Sequence, residues 1–289
     1  MSYLLYGFLF ALGIVMGSFL NVVALRYKPS KFLFDYTQIG GRSHCPICKK
    51  ELVWYELIPL VSFLVQGGRC RHCRHAISYQ YPIVELLSGL IFVLVPMYFA
   101  QTYNLSQVVI AGQDVTWFYG LSLIWTFAFF ALLMISVIDF HQYLIPNELN
   151  VFLGILGVGA IVFTRGSFLG FYAPMLELSP EPWIGHVAGA VIAFIFFSLI
   201  ILLTRGKAMG MGDLKLAAAL GLLFGWPDII MVALVAFVIG SLASIRLLFT
   251  KKKSLKDAVP FGPFLAIAAF VVFLFGFQIL RAYFNLFGL

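Results

Sequence analysis

The sequence predicts an all-α polytopic membrane protein of about eight transmembrane helices, with a small cytoplasmic insertion between helices 1 and 2. Three observations predict it. Of 289 residues, 62% are apolar and only 11% charged, against about 45–50% and about 25% in soluble domains, so a water-facing surface could not be covered. The mean hydropathy is +1.00. Apolar runs recur along the chain, and one sizeable polar stretch, residues 26–81, holds all four cysteines. Disorder, a secreted disulfide scaffold and a soluble enzyme are excluded together.

A bilayer span needs about 20 mostly apolar residues. Such runs lie at 3–25, 82–100, 117–138, 149–164, 184–204, 213–226, 228–249 and 259–284. The fourth and sixth are short, and Gly154, Gly157, Gly159, Gly221 and Gly225 in them suit close helix packing better than lipid contact. The first run starts at Met1-Ser2-Tyr3 with no basic flank and is too long for a signal-peptide core, so a retained span is expected. Three domains follow: 1–25, the first transmembrane helix; 26–81, the four-cysteine segment; and 82–289, a seven-helix membrane domain.

Orientation follows from where Lys and Arg fall, because net charge is not the rule in membrane proteins. The formal charge of +7 therefore does not call for a nucleic-acid partner. The polar segment carries Arg26, Lys28, Lys31, Arg42, Lys49, Lys50, Arg69, Arg71 and Arg74, which places it in the cytoplasm and the N-terminus outside. Threading the spans alternately brings Arg205, Lys207, Lys215, Arg246, Lys251, Lys252, Lys253 and Lys256 to the same side. Only Arg165 and Arg281 are left near the other face, whose loops carry Asp114, Glu177, Glu181 and Asp228. The junctions at 139–148 and 205–213 are thus both expected at the cytoplasmic surface.

The cysteines form two Cys-x-x-Cys knuckles, Cys45-Pro-Ile-Cys48 and Cys70-Arg-His-Cys73, with 21 residues between them. Thiolates at i and i+3 reach one ion from a tight turn, and two such turns complete a closed tetrahedral shell. The spacing reads as a zinc-ribbon-like structural site, a staple for a segment with little core of its own. Disulfides are the alternative, which a cytoplasmic location disfavours. His44, His72 and His75 flank the knuckles as spectators or as replacement ligands.

Ionisable groups at the ends of apolar spans are costly and are functional candidates. Asp139 ends the third span in Ile138-Asp139-Phe140-His141, and Asp213 opens the sixth in Met209-Gly210-Met211-Gly212-Asp213-Leu214-Lys215. The charge pattern puts both at one depth, where two carboxylates can share a proton as an acid and base pair. Such a pair titrates as a unit. Gly210 and Gly212 are expected to let the backbone approach a substrate or take positive φ before the helix begins. Bland readings stand beside these: Asp213 as a residue favoured by the helix dipole, Asp139 as an interfacial helix end, and Lys215 as a snorkelling cation or a carboxylate partner.

These stretches, taken with several others, resemble the type IV prepilin leader peptidases over nearly the whole chain. The others are Gly17-Ser-Phe-Leu-Asn21, Ser43-His-Cys-Pro-Ile-Cys48, Glu56-Leu-Ile-Pro59-Leu-Val-Ser62, Gly68-Arg-Cys-Arg-His-Cys73, Tyr81-Pro-Ile-Val-Glu85, Ile145-Pro146-Asn147 and Pro260-Phe-Gly-Pro263. The resemblance implies a bifunctional enzyme of the bacterial inner membrane. It would cut the basic leader from prepilins and pseudopilins and then N-methylate the new N-terminus with S-adenosylmethionine. The catalytic aspartates of that family map onto Asp139 and Asp213. No Rossmann fingerprint marks a methyl-donor site, and Asn21, Glu56, Glu85 and Gly89 are only candidates for it; Glu85 reads equally as a helix-start residue. Glu51, Glu56 or Glu148 would meet the basic leader. The long loop at 166–183, with Pro174, Pro180 and Pro182, is expected on the far side, clear of the aspartates. A presenilin-like protease fits less well, because it leaves the cysteines unexplained and no Pro-Ala-Leu motif occurs. A transport protein using both aspartates as ion or proton sites is the reading from another class.

Overall fold

The computed structural model describes residues 3–102, 115–163, 182–207, 209–250 and 258–286. Among them the regular structure is helical, apart from two isolated β-bridges. Each apolar run forms a helix: α1 Tyr3–Arg26, α4 Gln80–Thr102, α5 Thr116–Gln142, α6 Asn147–Phe163, α7 Pro182–Thr204, α8 Met211–Phe224, α9 Asp228–Phe249 and α10 Gly262–Leu286. Two short helices, α2 Tyr36–Ile39 and α3 Val61–Val65, lie in the polar stretch. Six helices are long and apolar enough to cross a membrane, which makes this a multi-pass membrane protein; α6 and α8, with 17 and 14 residues, are shorter. Most of the 166–183 loop, with Pro174 and Pro180, lies outside the described residues. So do Asp114, Arg165, Glu177, Glu181 and the lysines at 251–253 and 256.

Boundaries moved where capping decides them. α5 runs past residue 138 to Gln142 and stops at Tyr143, whose φ of 53° ends the helix while its N–H returns to the Asp139 carbonyl. α8 starts two residues early, at Met211, because Gly210 caps it. α10 starts late, at Gly262, with Pro263 in its first turn, where a missing N–H costs nothing. Asp228, expected as a loop charge, is fully buried in the first turn of α9.

The chain divides into two compact units, Met1–Gln107 and Val108–Leu289. In the first, α1 and α4 pair through small residues. A Cβ at Gly13 would stand 2.8 Å from the Cα of Gly89, and one at Gly17 would stand 2.7 Å from Ser88. Ser88 Oγ donates to the Gly13 carbonyl at 2.6 Å. Without a hydrophobic driving force between helices in lipid, such backbone approach is what holds them together.

In the second unit, α5 is the most enclosed of the six long helices, with 78% of its apolar window buried. Trp125 on α5 packs against Phe224 of α8 and Phe273 of α10, with ring centroids 4.8 Å away in each case. α7 meets α8 at another glycine seam, where a Cβ on Gly189 would stand 2.6 Å from the Gly221 carbonyl oxygen. Beside it, His186 Nδ1 lies 2.8 Å from the Leu222 carbonyl. A Gly189→Ala variant should lose about 1–3 kcal/mol, read as a lower unfolding temperature in detergent, whereas Gly154→Ala, where no atom lies within 4 Å of the new methyl, should be neutral.

Candidate active site

Asp139 sits in the last turn of α5 and is 5% exposed. An aspartate in so apolar a helix needs hydrogen bonds to replace water. One comes from far along the chain: the Gly262 N–H donates to Asp139 Oδ2 at 3.0 Å, where α10 begins. A Cβ at residue 262 would stand 2.7 Å from that same oxygen, so only glycine leaves the carboxylate its place. Phe261 fixes the segment from the other side, with its ring 5.2 Å from that of Phe237.

Asp213 lies in the first turn of α8, half-buried. Its Oδ2 accepts from the Gly210 N–H at 3.1 Å, satisfying one of the donors that a helix start leaves bare. Asp213 is close enough to Asp139 for their charges to interact. The glycines act differently from the expectation. Gly210 has φ of −89°, and Gly212 is not among the positive-φ residues. Gly212 instead packs closely on the preceding turn, where a Cβ would stand 3.2 Å from the Ile145 side chain. Lys215 meets no carboxylate among the described residues: Nζ donates to Asn147 Oδ1 at 2.8 Å and ties the start of α8 to the start of α6. The Ile145-Pro146-Asn147 turn thereby seats the strand of backbone that presents Asp213.

In the first unit, the two cysteine knuckles fold alike. The Cys45 N–H donates to the Lys50 carbonyl at 3.0 Å and the Lys49 N–H to the Cys45 carbonyl at 2.9 Å; Cys70, His75 and Arg74 repeat this at 2.9 and 3.0 Å. Lys49 and Arg74 take matching φ values of 60° and 58°. The four Sγ atoms of Cys45, Cys48, Cys70 and Cys73 all lie within 4.8 Å of one another, and those of Cys45 and Cys73 are 3.8 Å apart. A tetrahedral shell with metal–sulfur bonds of about 2.3 Å requires sulfur–sulfur edges of about 3.8 Å, so the set fits a thiophilic ion. Backbone N–H groups of Cys48 and Ile47 hold the Cys45 thiol down to about 7, against burial that opposes them. All four cysteines are free thiols.

Beside the knuckles is a cavity of about 430 Å³. Asn21, Glu56 and Glu85 line it, together with Ser18, Arg26 and Tyr81. Gly89, singled out with them, does not; it belongs to the α1–α4 seam, against Phe10 and Ile14. Glu56 is also not open to a basic leader, since its side chain is 2% exposed, 4.0 Å from Arg71 and accepting from the Val53 N–H at 3.1 Å. Glu51 is paired with Arg42 at 2.9 Å. Gly262 escaped the sequence reading as a site residue: its motif was visible, but nothing in the spacing links it to an aspartate 123 residues away.

Residues 11–99 match the bacterial peptidase A24 N-terminal domain, and residues 125–245 match the type IV leader peptidase family. A prepilin leader peptidase/N-methyltransferase of Aeromonas salmonicida (strain A449) is 32% identical over 304 residues, covering 98% of this chain and 95% of its own. Those of Pseudomonas aeruginosa, 32% identical over 96% and 92%, and Bacillus subtilis, 29% over 95% and 96%, carry the same name. No solved structure matches significantly. With eight helices in the expected order, both aspartates at helix ends in one bundle, and a relative aligned along almost the entire length, the chain belongs to the type IV prepilin leader peptidase family.

Proposed function

We propose that Asp139 and Asp213 are the catalytic dyad of a prepilin peptidase that also N-methylates its product. The observation that carries this is that two carboxylates from α5 and α8, near enough for the charge of Asp213 to act on Asp139, are each held by a backbone N–H from outside its own helix or at its very start. One carboxylate takes a proton from water as the oxygen attacks the scissile carbonyl carbon. The other carboxyl gives its proton to the carbonyl oxygen. Collapse of the tetrahedral intermediate breaks the C–N bond, and the proton gained from water passes to the departing nitrogen. The substrates are prepilins and pseudopilins, whose basic leader followed by an apolar helix suits a site at the inner face of the inner membrane. Orientation with the N-terminus outside rests on the Lys and Arg distribution, and no nucleic acid is a partner. The transport alternative draws no support from the relatives named above, which are called prepilin leader peptidase/N-methyltransferases.

The cysteine cluster is proposed to hold zinc as a structural ion, through Cys45, Cys48, Cys70 and Cys73. The cavity beside it is proposed as the methyl-donor site. Its volume is that of a small-molecule pocket, and Asn21, Arg26 and Glu85 give its lining polar groups of both charges. S-adenosylmethionine held there by the residues lining the cavity would supply a methyl group on a cationic sulfur to the neutral N-terminal amine, with S-adenosylhomocysteine as the leaving group and one proton released from the methylated nitrogen to water.

Asp139→Asn and Asp213→Asn should each lower the rate of leader removal by about 10²–10⁴-fold, measured by mass spectrometry of a prepilin; full cleavage by either would end the dyad proposal. Gly262→Ala, by displacing the Asp139 carboxylate, should lower kcat by about 10²-fold with KM little changed, whereas an equal rise in KM would point to lost substrate binding. Asn21→Val should abolish the methyl gain on a pre-cleaved pilin while leader removal continues. Native mass spectrometry should find one zinc per chain, lost in Cys45→Ser.

A further inference from the structure

We infer that residues 57–65, within the polar four-cysteine stretch, form a re-entrant element inserted into the acyl-chain boundary of the bilayer. Three observations converge on this. The first is depth. The Leu60 N–H donates to Glu85 Oε2 at 2.8 Å, and Glu85 packs at the level of Gly17, where a Cβ would stand 2.9 Å from the Glu85 Cα. Glu85 is five residues inside α4, and Gly17 is nine residues inside the end of α1. At about 1.5 Å per residue these are depths of about 7 and about 13 Å. Both helices overrun a hydrocarbon core of about 30 Å by only about 2–3 Å at each end. The Glu85 Cα therefore lies about 5–10 Å below the hydrocarbon boundary, and Leu60, one side-chain length and one hydrogen bond from it toward the cytoplasmic end of α4, lies at the acyl boundary, where interfacial helices bury their apolar faces.

The second observation is surface chemistry. Ile58, Val61, Leu64 and Val65 are all exposed, Leu64 at 75% and Val65 at 69%, while Leu57 lines the cavity on the other side. Polar and basic residues bracket them, Lys49 and Lys50 before and Arg69 and Arg71 after, the arrangement that anionic headgroups attract. On α4, beside this segment in the same unit, Ile83, Leu86 and Leu87 are exposed as well.

The third is the backbone. Non-helical chain at membrane depth persists only if its polar groups are satisfied internally. The N–H groups of Ser62, Leu64 and Gln66 return to Ile58, Leu60 and Ser62 at 3.0–3.1 Å, and that of Gly68 to Phe63 at 2.9 Å. Leu60, at the start of α3 with φ of 61°, would be left bare, and Glu85 supplies its acceptor from α4. A carboxylate in the second turn of a membrane helix thus has a structural task that the sequence did not reveal.

The test uses the full chain in nanodiscs of phosphatidylethanolamine and phosphatidylglycerol, without prepilin. Trifluoromethylphenylalanine is placed at Leu64, or at Ile47 in the first cysteine knuckle, which is also exposed. The fluorine signal at residue 64 should broaden several-fold more with a doxyl group high on the lipid acyl chain than with a soluble gadolinium chelate; residue 47 should show the reverse. Broadening of residue 64 by the chelate, as at residue 47, would overturn the inference. Protection from the chelate only after prepilin is added would also overturn it, assigning the surface to the substrate helix. Leader removal by each labelled chain shows that it is folded.

Discussion

A carboxylate inside an apolar helix bundle stays where it is put only if backbone donors replace the water it has lost. The bond from Gly262 to Asp139 meets that requirement, and much of the second unit is arranged around it. The aromatic packing of Phe261 against Phe237 and Phe197 holds the start of α10, and Trp125 binds α5 to α8 and α10. Asp213 is held by a local bond within its own helix start, which in turn is braced by Lys215 on Asn147 and by Gly212 against Ile145. Two unlike devices thus serve two like residues. One is long-range and steric, the other local and shared with helix capping.

The first unit solves a different problem. Its polar stretch has little apolar core, so order comes from cross-links: four thiols gathered within 4.8 Å, Arg26 donating to the carbonyls of Ile39 and Gly40 at 2.9 Å, and Glu85 reaching from α4 to Leu60. Each joins loop backbone to a membrane helix or to another loop. The cavity is lined by the same side chains that do this joining, a fixed setting of the kind the proposed alignment of an amine with a methyl donor would need.

Much of this was legible in the sequence, for reasons that differ by element. Spans were readable because lipid imposes length and polarity directly, and all eight runs proved to be helices within a few residues. The cysteine knuckles were readable because ligand geometry demands i and i+3 spacing. Asp139 and Asp213 stood out because a charge at the end of an apolar run is expensive. Gly89 lies in the α1–α4 seam, outside the lining of the cavity: a motif cannot tell a glycine that admits a ligand from one that admits a neighbouring helix. Glu56 likewise looked available to a basic leader, and burial beside Arg71 removed it.

Composition, spacing and charge placement by themselves determined the helices, the thiol quartet and the two acidic helix ends, since each follows from local chemistry or from constraints the bilayer applies residue by residue; the family came from the resemblance of the motifs. Tertiary structure alone decided which distant groups meet. That Gly262 grips Asp139 across 123 residues, that Glu85 serves Leu60, and that Lys215 finds an amide and not a carboxylate all depend on how helices pack. Packing is set by the shapes of whole surfaces, and no short stretch of sequence carries that information.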